Sequence, residues 1–329
     1  MLLNIAGKFS CLGIDIGVDM IKVVQLKKRK GNIILSRYDC VKTPGGAVGD
    51  GKVIDTRKIS ICLKGIKKKY FPVKKAVISL GSENVMFSLL ALPPMGKGEL
   101  LKCMKFEAEK HISLPIKQVV YDYCLLRYLP EGHLEILLAA APKEVVNGYM
   151  EALQGAGLYP TALEVEPLAM LRLFNYLIGR KAAQNNREGK YCLLLDLGVE
   201  TSKVILVKGR YYKFFRCLPL GKKVLEGHGK VNTAAGELVK VLQQTIGYFV
   251  YRTSLEDLKI EKLYLTGGLS EIAGLQNYLV DNLKIQTEPL ELLGFLHHDY
   301  PGSSFYKIRE DKKLMYTAAG LALRGWSHG

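Results

Sequence analysis

Residues 15–23 read DIGVDMIKV, and residues 196–204 read DLGVETSKV. Five of the nine positions are identical, and a sixth exchanges Asp19 for Glu200. Both stretches follow a short apolar run, Leu12-Gly13-Ile14 in one and Leu193-Leu194-Leu195 in the other. Both continue through alternating residues to a basic turn, at 27–31 and 208–210. Each copy reads as strand, tight glycine turn, strand, basic turn, strand. A match at this distance predicts two lobes of related topology, not a short-period solenoid.

Outward from the repeats, the chain alternates helix and strand. Ile59, Cys62, Leu63, Ile66 and Tyr70 follow helical spacing after Asp55, an N-cap candidate. A strand is predicted over 75–80. In the second half, a long helix over 233–253 carries Leu238, Val241, Leu242, Thr245, Phe249 and Arg252, and a strand over 262–266 runs into Gly267-Gly268. The fold class is therefore α/β, with two related cores. Residues 84–140 break the symmetry: strand (85–92), helix (99–111) and two strands (119–127, 133–140), a β-α-β-β block without a counterpart. Helices over 143–156 and 167–180 return to the first lobe, and the polar stretch 181–189 reads as a linker. The expected division is a first lobe at 1–83 and 141–185, an inserted subdomain at 84–140, and a second lobe at 190–329 with a shortened outer part.

Of 329 residues, 48% are hydrophobic and 24% charged, so the chain has the material for a buried core. No apolar run approaches the roughly 18 residues of a membrane-spanning helix. Residues 1–10 lack the pattern of a signal peptide, which points to the cytoplasm. Seven cysteines at irregular spacing, without a CxxC pair, read as reduced core thiols. The six histidines have no metal-ligand spacing. The net charge is +16, with basic clusters at 27–30, 67–69 and 74–75. These read first as solvated faces and a helix C-terminus, and second as attraction to an anionic membrane surface. No nucleic-acid motif accompanies the charge.

The repeated turns have a chemical use. Glycine lets backbone approach a ligand, and successive N–H groups in a tight turn make an anion site. A carboxylate two residues earlier, Asp15 or Asp196, can hold Mg²⁺ through water. Lys22 or Lys203 would supply countercharge. The plainer reading is that Asp15 and Asp196 cap turns in which Gly17 and Gly198 supply positive φ. Two copies, with a third glycine turn at 266–268, favour a nucleotide cleft.

That trio, 12–26 (LGIDIGVDMIKVVQL), 193–207 (LLLDLGVETSKVILV) and 263–275 (LYLTGGLSEIAGL), resembles the two phosphate hairpins and adenosine motif of the actin-like ATPase superfamily. The insert resembles that of the cell-division (FtsA) branch and of the PilM family of type IV pilus assembly. Residues 106–115 (FEAEKHISLP) look like a PilM signature, as do 154–160 (QGAGLYP), Glu164-Val165-Glu166 with Ala169, and 318–324 (AAGLALR). The resemblance implies an actin-like two-lobed fold of duplicated ribonuclease H-like cores. It implies a scaffold beneath the inner membrane that binds ATP and Mg²⁺ and grips the N-terminal cytoplasmic tail of a PilN-like membrane protein. By it, Asp15, Gly17 and Lys22 face the phosphates from one hairpin, and Asp196, Gly198, Thr201 and Ser202 from the other. Asp15 and Asp196 serve the metal, Gly267 and Gly268 admit the adenosine, and the helix bearing Phe106, Glu107 and Glu109 borders the partner groove.

The chain departs from the family pattern in three places. Val18, Asp19 and Met20 stand where the family carries hydroxyl residues. Glu200 adds negative charge at the second hairpin, and 220–232 is a short Gly- and Lys-rich stretch where relatives have a further helical segment. These departures weigh against ATP turnover more than against the fold. The stretch 46–53 (GAVGDGKV) misses the P-loop hydroxyl and reads as a flexible loop. A small-molecule kinase of the same superfamily needs a catalytic acid that no motif supplies. An FtsA-like division scaffold would end in an amphipathic membrane helix, for which 324–329 is too short.

Overall fold

The computed structural model describes residues 11–29, 32–69, 73–181, 189–221, 231–253, 258–270, 272–290, 292 and 314–326. In chain order these form β1 (Leu12–Ile16), β2 (Met20–Arg29), β3 (Asn32–Lys42), β4 (Val48–Gly49), β5 (Lys52–Val53), α1 (Thr56–Lys69), β6 (Lys75–Leu80) and β7 (Met86–Leu92). There follow α2 (Lys97–His111), β8 (Val119–Tyr128), β9 (Leu134–Pro142), α3 (Lys143–Gly155), β10 (Tyr159–Val165) and α4 (Glu166–Lys181). The second half has β11 (Tyr191–Leu197), β12 (Ser202–Lys208), β13 (Tyr211–Leu218), α5 (Val231–Thr253), β14 (Ile260–Thr266), α6 (Leu275–Leu283), β15 (Gln286–Pro289) and α7 (Tyr316–Leu323).

The repeat read from the sequence is a repeat of topology. One five-stranded sheet has the order β3-β2-β1-β6-β10, the other β13-β12-β11-β14-β15. In each, three strands consecutive in sequence lie side by side, and two further strands join beside the first of them. β6 is parallel to both β1 and β10, and β14 to both β11 and β15. The central strands read as unbroken apolar runs because both faces are covered. All five residues of β1 are buried, as are Cys192 to Leu195 in β11.

Packing separates two compact units, the described residues of 1–21, 41–166 and 321–326 in one, and those of 22–40 and 167–320 in the other. Within the first, β7-β9-β8 is an antiparallel sheet. One face is covered by α2, whose Met104 and Ala108, a turn apart, sit among Leu90, Leu92, Ile136 and Leu138. Glu99 accepts the Gly96 N–H at 3.0 Å and so satisfies one orphan donor at the start of α2. Asp55 caps α1 by accepting the Lys58 N–H at 2.9 Å. Tyr70 and most of the 181–189 linker lie outside the described residues.

The 46–53 stretch is no flexible loop. β4 and β5 pair through Val48–Val53 and Gly49–Lys52 across Asp50-Gly51, both at positive φ (49° and 66°). Asn84 donates to the Asp50 carbonyl at 2.6 Å, Tyr149 to that of Gly51 at 3.1 Å, and Lys52 meets Glu144 at 3.0 Å. Every partner is distant in sequence, so local composition gave no sign of them. None of the seven thiols forms a disulfide; Cys11 and Cys192 are buried, Cys40, Cys62, Cys103 and Cys217 half-buried, with Cys103 packed against the core under α2. The core-thiol expectation fails for the exposed Cys124. Among the described residues, no helix is long and apolar enough to cross a membrane.

Within the second unit, α4 and α7 approach backbone to backbone at Gly320. A Cβ there would lie 2.0 Å from the Ala169 carbonyl oxygen, and Arg172 donates to the Gly320 carbonyl at 3.0 Å. Gly65 in α1, by contrast, faces open space. Gly320→Ala should lower stability by about 2 kcal/mol or more through overpacking. Gly65→Ala should raise it by up to about 1 kcal/mol through helix propensity. Urea midpoints of the two variants check this, and equal shifts would contradict the close helix contact.

Candidate functional site

The two DxG turns close the C-terminal ends of β1 and β11. Asp15 is buried and accepts a hydrogen bond from Ser79 on neighbouring β6 at 3.1 Å. Asp196 is half-buried, and its neighbour in the parallel register is Thr266 on β14. Each carboxylate thus has a hydroxyl residue beside it on the adjacent parallel strand. The two pairs differ in one respect. Ser79 is bonded to its aspartate, whereas the buried Thr266 Oγ1 has no hydrogen-bond partner among the described residues. A buried hydroxyl left unpaired costs free energy, so an orphan at this position is a fitting partner for a ligand.

The first turn is tied down by its own backbone. Gly17 donates its N–H to the Met20 carbonyl at 3.1 Å, and Thr43 bonds both the Gly17 carbonyl (2.7 Å) and, through its N–H, that of Asp19 (2.8 Å). The Asp19 side chain is exposed to solvent and Lys22 is half-buried. In the second turn Gly198 has no positive φ. It is glycine because a Cβ would meet the Thr201 carbonyl at 2.4 Å. Ser202 is fully buried, and its hydroxyl donates to the Leu220 carbonyl. Thr201 and Glu200 are half-buried. Gly221 lies against this turn, since a Cβ there would meet the Val199 carbonyl oxygen at 2.3 Å.

Gly267 does require its glycine conformation, with φ at 88°. A Cβ there would fall 2.5 Å from the Leu197 carbonyl and 2.6 Å from Asp196 Oδ1. The third glycine turn therefore sits directly against the carboxylate end of the second hairpin. Its carbonyl accepts from Ser270 N (3.2 Å) and Oγ (2.8 Å), which closes the loop. Gly268 is less constrained, since its Cβ would only touch Leu314 at 3.3 Å. So Asp196, Gly198, Thr201, Thr266 and Gly267 converge on one end of the second sheet. The sequence reading placed Thr266 in the third glycine turn but gave it no role, because its significance lies in a missing bond.

At the end of the first sheet a second buried polar group gathers. Glu166 accepts both the backbone N–H (3.1 Å) and the hydroxyl of Ser82. Glu164, also buried, meets Arg324 at 3.2 Å. The family-like residues at 164–166 and 324 thus act as internal ties. Tyr149, which bonds the Gly51 carbonyl, has its phenol pushed up chiefly by burial, with the negative charge of Glu166 adding to this.

On α2, Phe106 is 64% exposed and Glu109 is exposed. Glu107 is mostly buried, bridging Lys110 at 2.8 Å and His111 at 3.4 Å, and the Lys110 hydrogen bond holds its carboxyl below the usual range. Leu101 on the same helix is 66% exposed. The sheet face opposite α2 carries the partly exposed Leu89 and Val120. The sequence reading missed these because β7 (MFSLLAL) shows no clean alternation.

Known structures place this arrangement. A Bacteroides thetaiotaomicron protein described as having an actin-like ATPase fold and unknown function matches with a TM-score of 0.50 at 10% identity, over 86% of this chain and 91% of that one. The ethanolamine utilization protein EutJ from Carboxydothermus hydrogenoformans matches at 0.51 and 14%, over 98% and 92%. The two sheets with repeated order are those of an actin-like ATPase fold. A PilM–PilN type IV pilus biogenesis complex matches far better, with a TM-score of 0.83 at 26% identity over 98% of this chain and 100% of that one. The family model for type IV pilus assembly protein PilM matches residues 13–228 and 235–326. This chain belongs to the PilM family.

A phenol whose pKa is raised by folding stabilises fully below the unfolded value, near 10, and that stability is lost as pH climbs beyond it. Tyr149 and Tyr212 are both of this kind. Tyr149→Phe should cost about 1 kcal/mol at pH 8 for the lost hydrogen bond, yet flatten the decline of the urea midpoint above pH 10. Parallel declines in both proteins would show that Tyr149 does not ionise on unfolding.

Proposed function

We propose that the chain is a scaffold of a type IV pilus assembly platform that holds the N-terminal cytoplasmic tail of a PilN-like membrane protein. The observation that carries this is the match, at a TM-score of 0.83 over 98% of the chain, to a PilM that is in complex with PilN. Such a partner would bring the protein to the inner face of the cell membrane. Residues 1–83 with 141–185, and 190–329, are the two actin-like lobes, and 84–140 is the inserted subdomain. The repeated strand order supports the first two and the β7-β9-β8 sheet with α2 the third.

The tail docks as a peptide on the insert, with Phe106 as the apolar anchor, Glu109 offering charge, and Glu107 setting the local field through Lys110 and His111. ATP with Mg²⁺ is the proposed ligand of the glycine turns. The residues present fit it in part: Gly267 provides backbone access, Thr266 an unpaired hydroxyl, and Asp196 a half-buried carboxylate for a hydrated metal ion. Asp15 and Gly17, with Lys22, would play the corresponding parts at the first hairpin, and Thr201, Gly198 and Gly268 would complete the second set. Ser202 and Asp15 already have protein partners, so their part is to hold the turns in place. When bound, the nucleotide would supply charge that these turns neutralise, and its proposed use is to bias the tail-binding surface rather than to drive chemistry.

Calorimetric titration with the tail peptide of the PilN-like partner, with and without ATP and Mg²⁺, tests this reading. Saturable binding is expected. Phe106→Ala should weaken it about tenfold or more, as for an anchoring aromatic, while leaving stability unchanged because the ring is exposed. Full affinity in that variant would move the docking surface away from α2. Equal affinity with and without nucleotide would remove the coupling.

A further inference from the structure

α1 turns an unusual face to solvent. Its buried side is Ile59, Ser60, Leu63 and Ile66. At 100° per residue, the opposite pole of the helix falls on Ile61, which is 62% exposed. Arg57, Lys64 and Lys68 flank it on the same stripe, at i−4, i+3 and i+7, and all are exposed. Gly65, beside them, faces open space. The helix contains no acidic residue. Arg57, Lys64 and Lys68 make no ion pair among the described residues, whereas Lys58 is paired with Asp55 at 3.6 Å.

The patch extends past the helix end. Lys67 donates to the Gly157 carbonyl at 2.7 Å and so ties the end of α1 to the turn before β10. There Tyr159 is 65% exposed, and its N–H bonds the Lys74 carbonyl at 2.8 Å. Lys74 and Lys75 are exposed as well. The result is a line of exposed cations, Arg57, Lys64 and Lys68, with an aliphatic side chain at its centre, and with Lys74 and a tyrosine beyond its end.

Helix stability does not account for this composition. Cations suit a helix C-terminus, but Arg57 lies in the first turn, where the dipole opposes it. An isoleucine at the outermost position gains nothing from the fold. Both features suit a flat anionic phase with an apolar interior, where basic residues meet headgroups, aliphatic side chains enter the acyl boundary, and tyrosine prefers the interface. Nucleic acid would use the cations but has no place for Ile61. We infer that the outer face of α1, with Lys74 and Tyr159, is a docking surface for anionic phospholipid membrane. This contact is independent of the PilN-tail reading, because it needs no partner protein.

The full chain, without partner, should cosediment with vesicles of three parts phosphatidylcholine to one part phosphatidylglycerol at about 0.1 M salt, where screening acts over about 10 Å. It should not sediment with pure phosphatidylcholine. Lys64→Gln with Lys68→Gln should weaken anionic-vesicle binding roughly thirtyfold, from about 1 kcal/mol per cation. Ile61→Ser should weaken it severalfold while leaving any attraction to duplex DNA unchanged. Both variants alter only exposed positions and should melt like the parent and bind the tail peptide equally. Absence of binding to anionic vesicles, or equal binding by both variants, would overturn the proposal. So would a double variant that loses duplex DNA but keeps vesicles, which would make this a nucleic-acid surface.

Discussion

The structure depends on burying two central strands, β1 and β11, on both faces while each ends in a carboxylate. An apolar strand covered on both sides must release its chain sharply at the sheet's edge, and a charged group there must find partners or solvent. The first copy solves this inwardly, with Asp15 buried and bonded to Ser79. The second solves it openly: Asp196 is half-buried, Gly267 has no Cβ to crowd it, and the Thr266 hydroxyl has no partner among the described residues. The same nine-residue pattern thus yields one closed and one receptive strand end. That asymmetry gives the second turn the stronger claim to a ligand.

The close backbone contacts follow from this arrangement. Gly198 is set by the approach of the Thr201 carbonyl, and Gly221 by that of Val199. Gly320 lets α7 lie against α4 in the same unit. Buried acids further along the chain, Glu164 and Glu166, are matched by Arg324 and Ser82. Removing one side of such a match strands a buried charge, which costs more than the match contributes. Residues that look like family signatures are therefore often ties that hold turns in place. Those exposed on α1 and α2 face solvent and remain available to partners.

Much of this was legible in sequence. The DxGV repeat announced the duplicated strand order, because a period of two and a glycine turn are local properties. β6 falls at 75–80 as read, and α2, α3 and α4 begin and end within two residues of their expected limits. What could not be read is what depends on distant partners. GAVGDGKV gave no sign that Asn84 and Tyr149 would pin it as a hairpin. Ser202 read as a phosphate ligand, yet its hydroxyl is committed to Leu220 eighteen residues on. Thr266 was read as part of the third glycine turn without a role of its own, because an orphan hydroxyl exists only in three dimensions.

The claim on which the account turns is that the end of β11 is a nucleotide-phosphate site. It is tested most directly by calorimetric titration of the full chain with ATP and Mg²⁺, alongside Asp196→Ala. The account predicts saturable binding that the substitution abolishes. No heat at millimolar ATP, or binding that survives the loss of Asp196, would contradict it. The glycine turns would then be structural joints in a scaffold that works through its protein and membrane contacts alone.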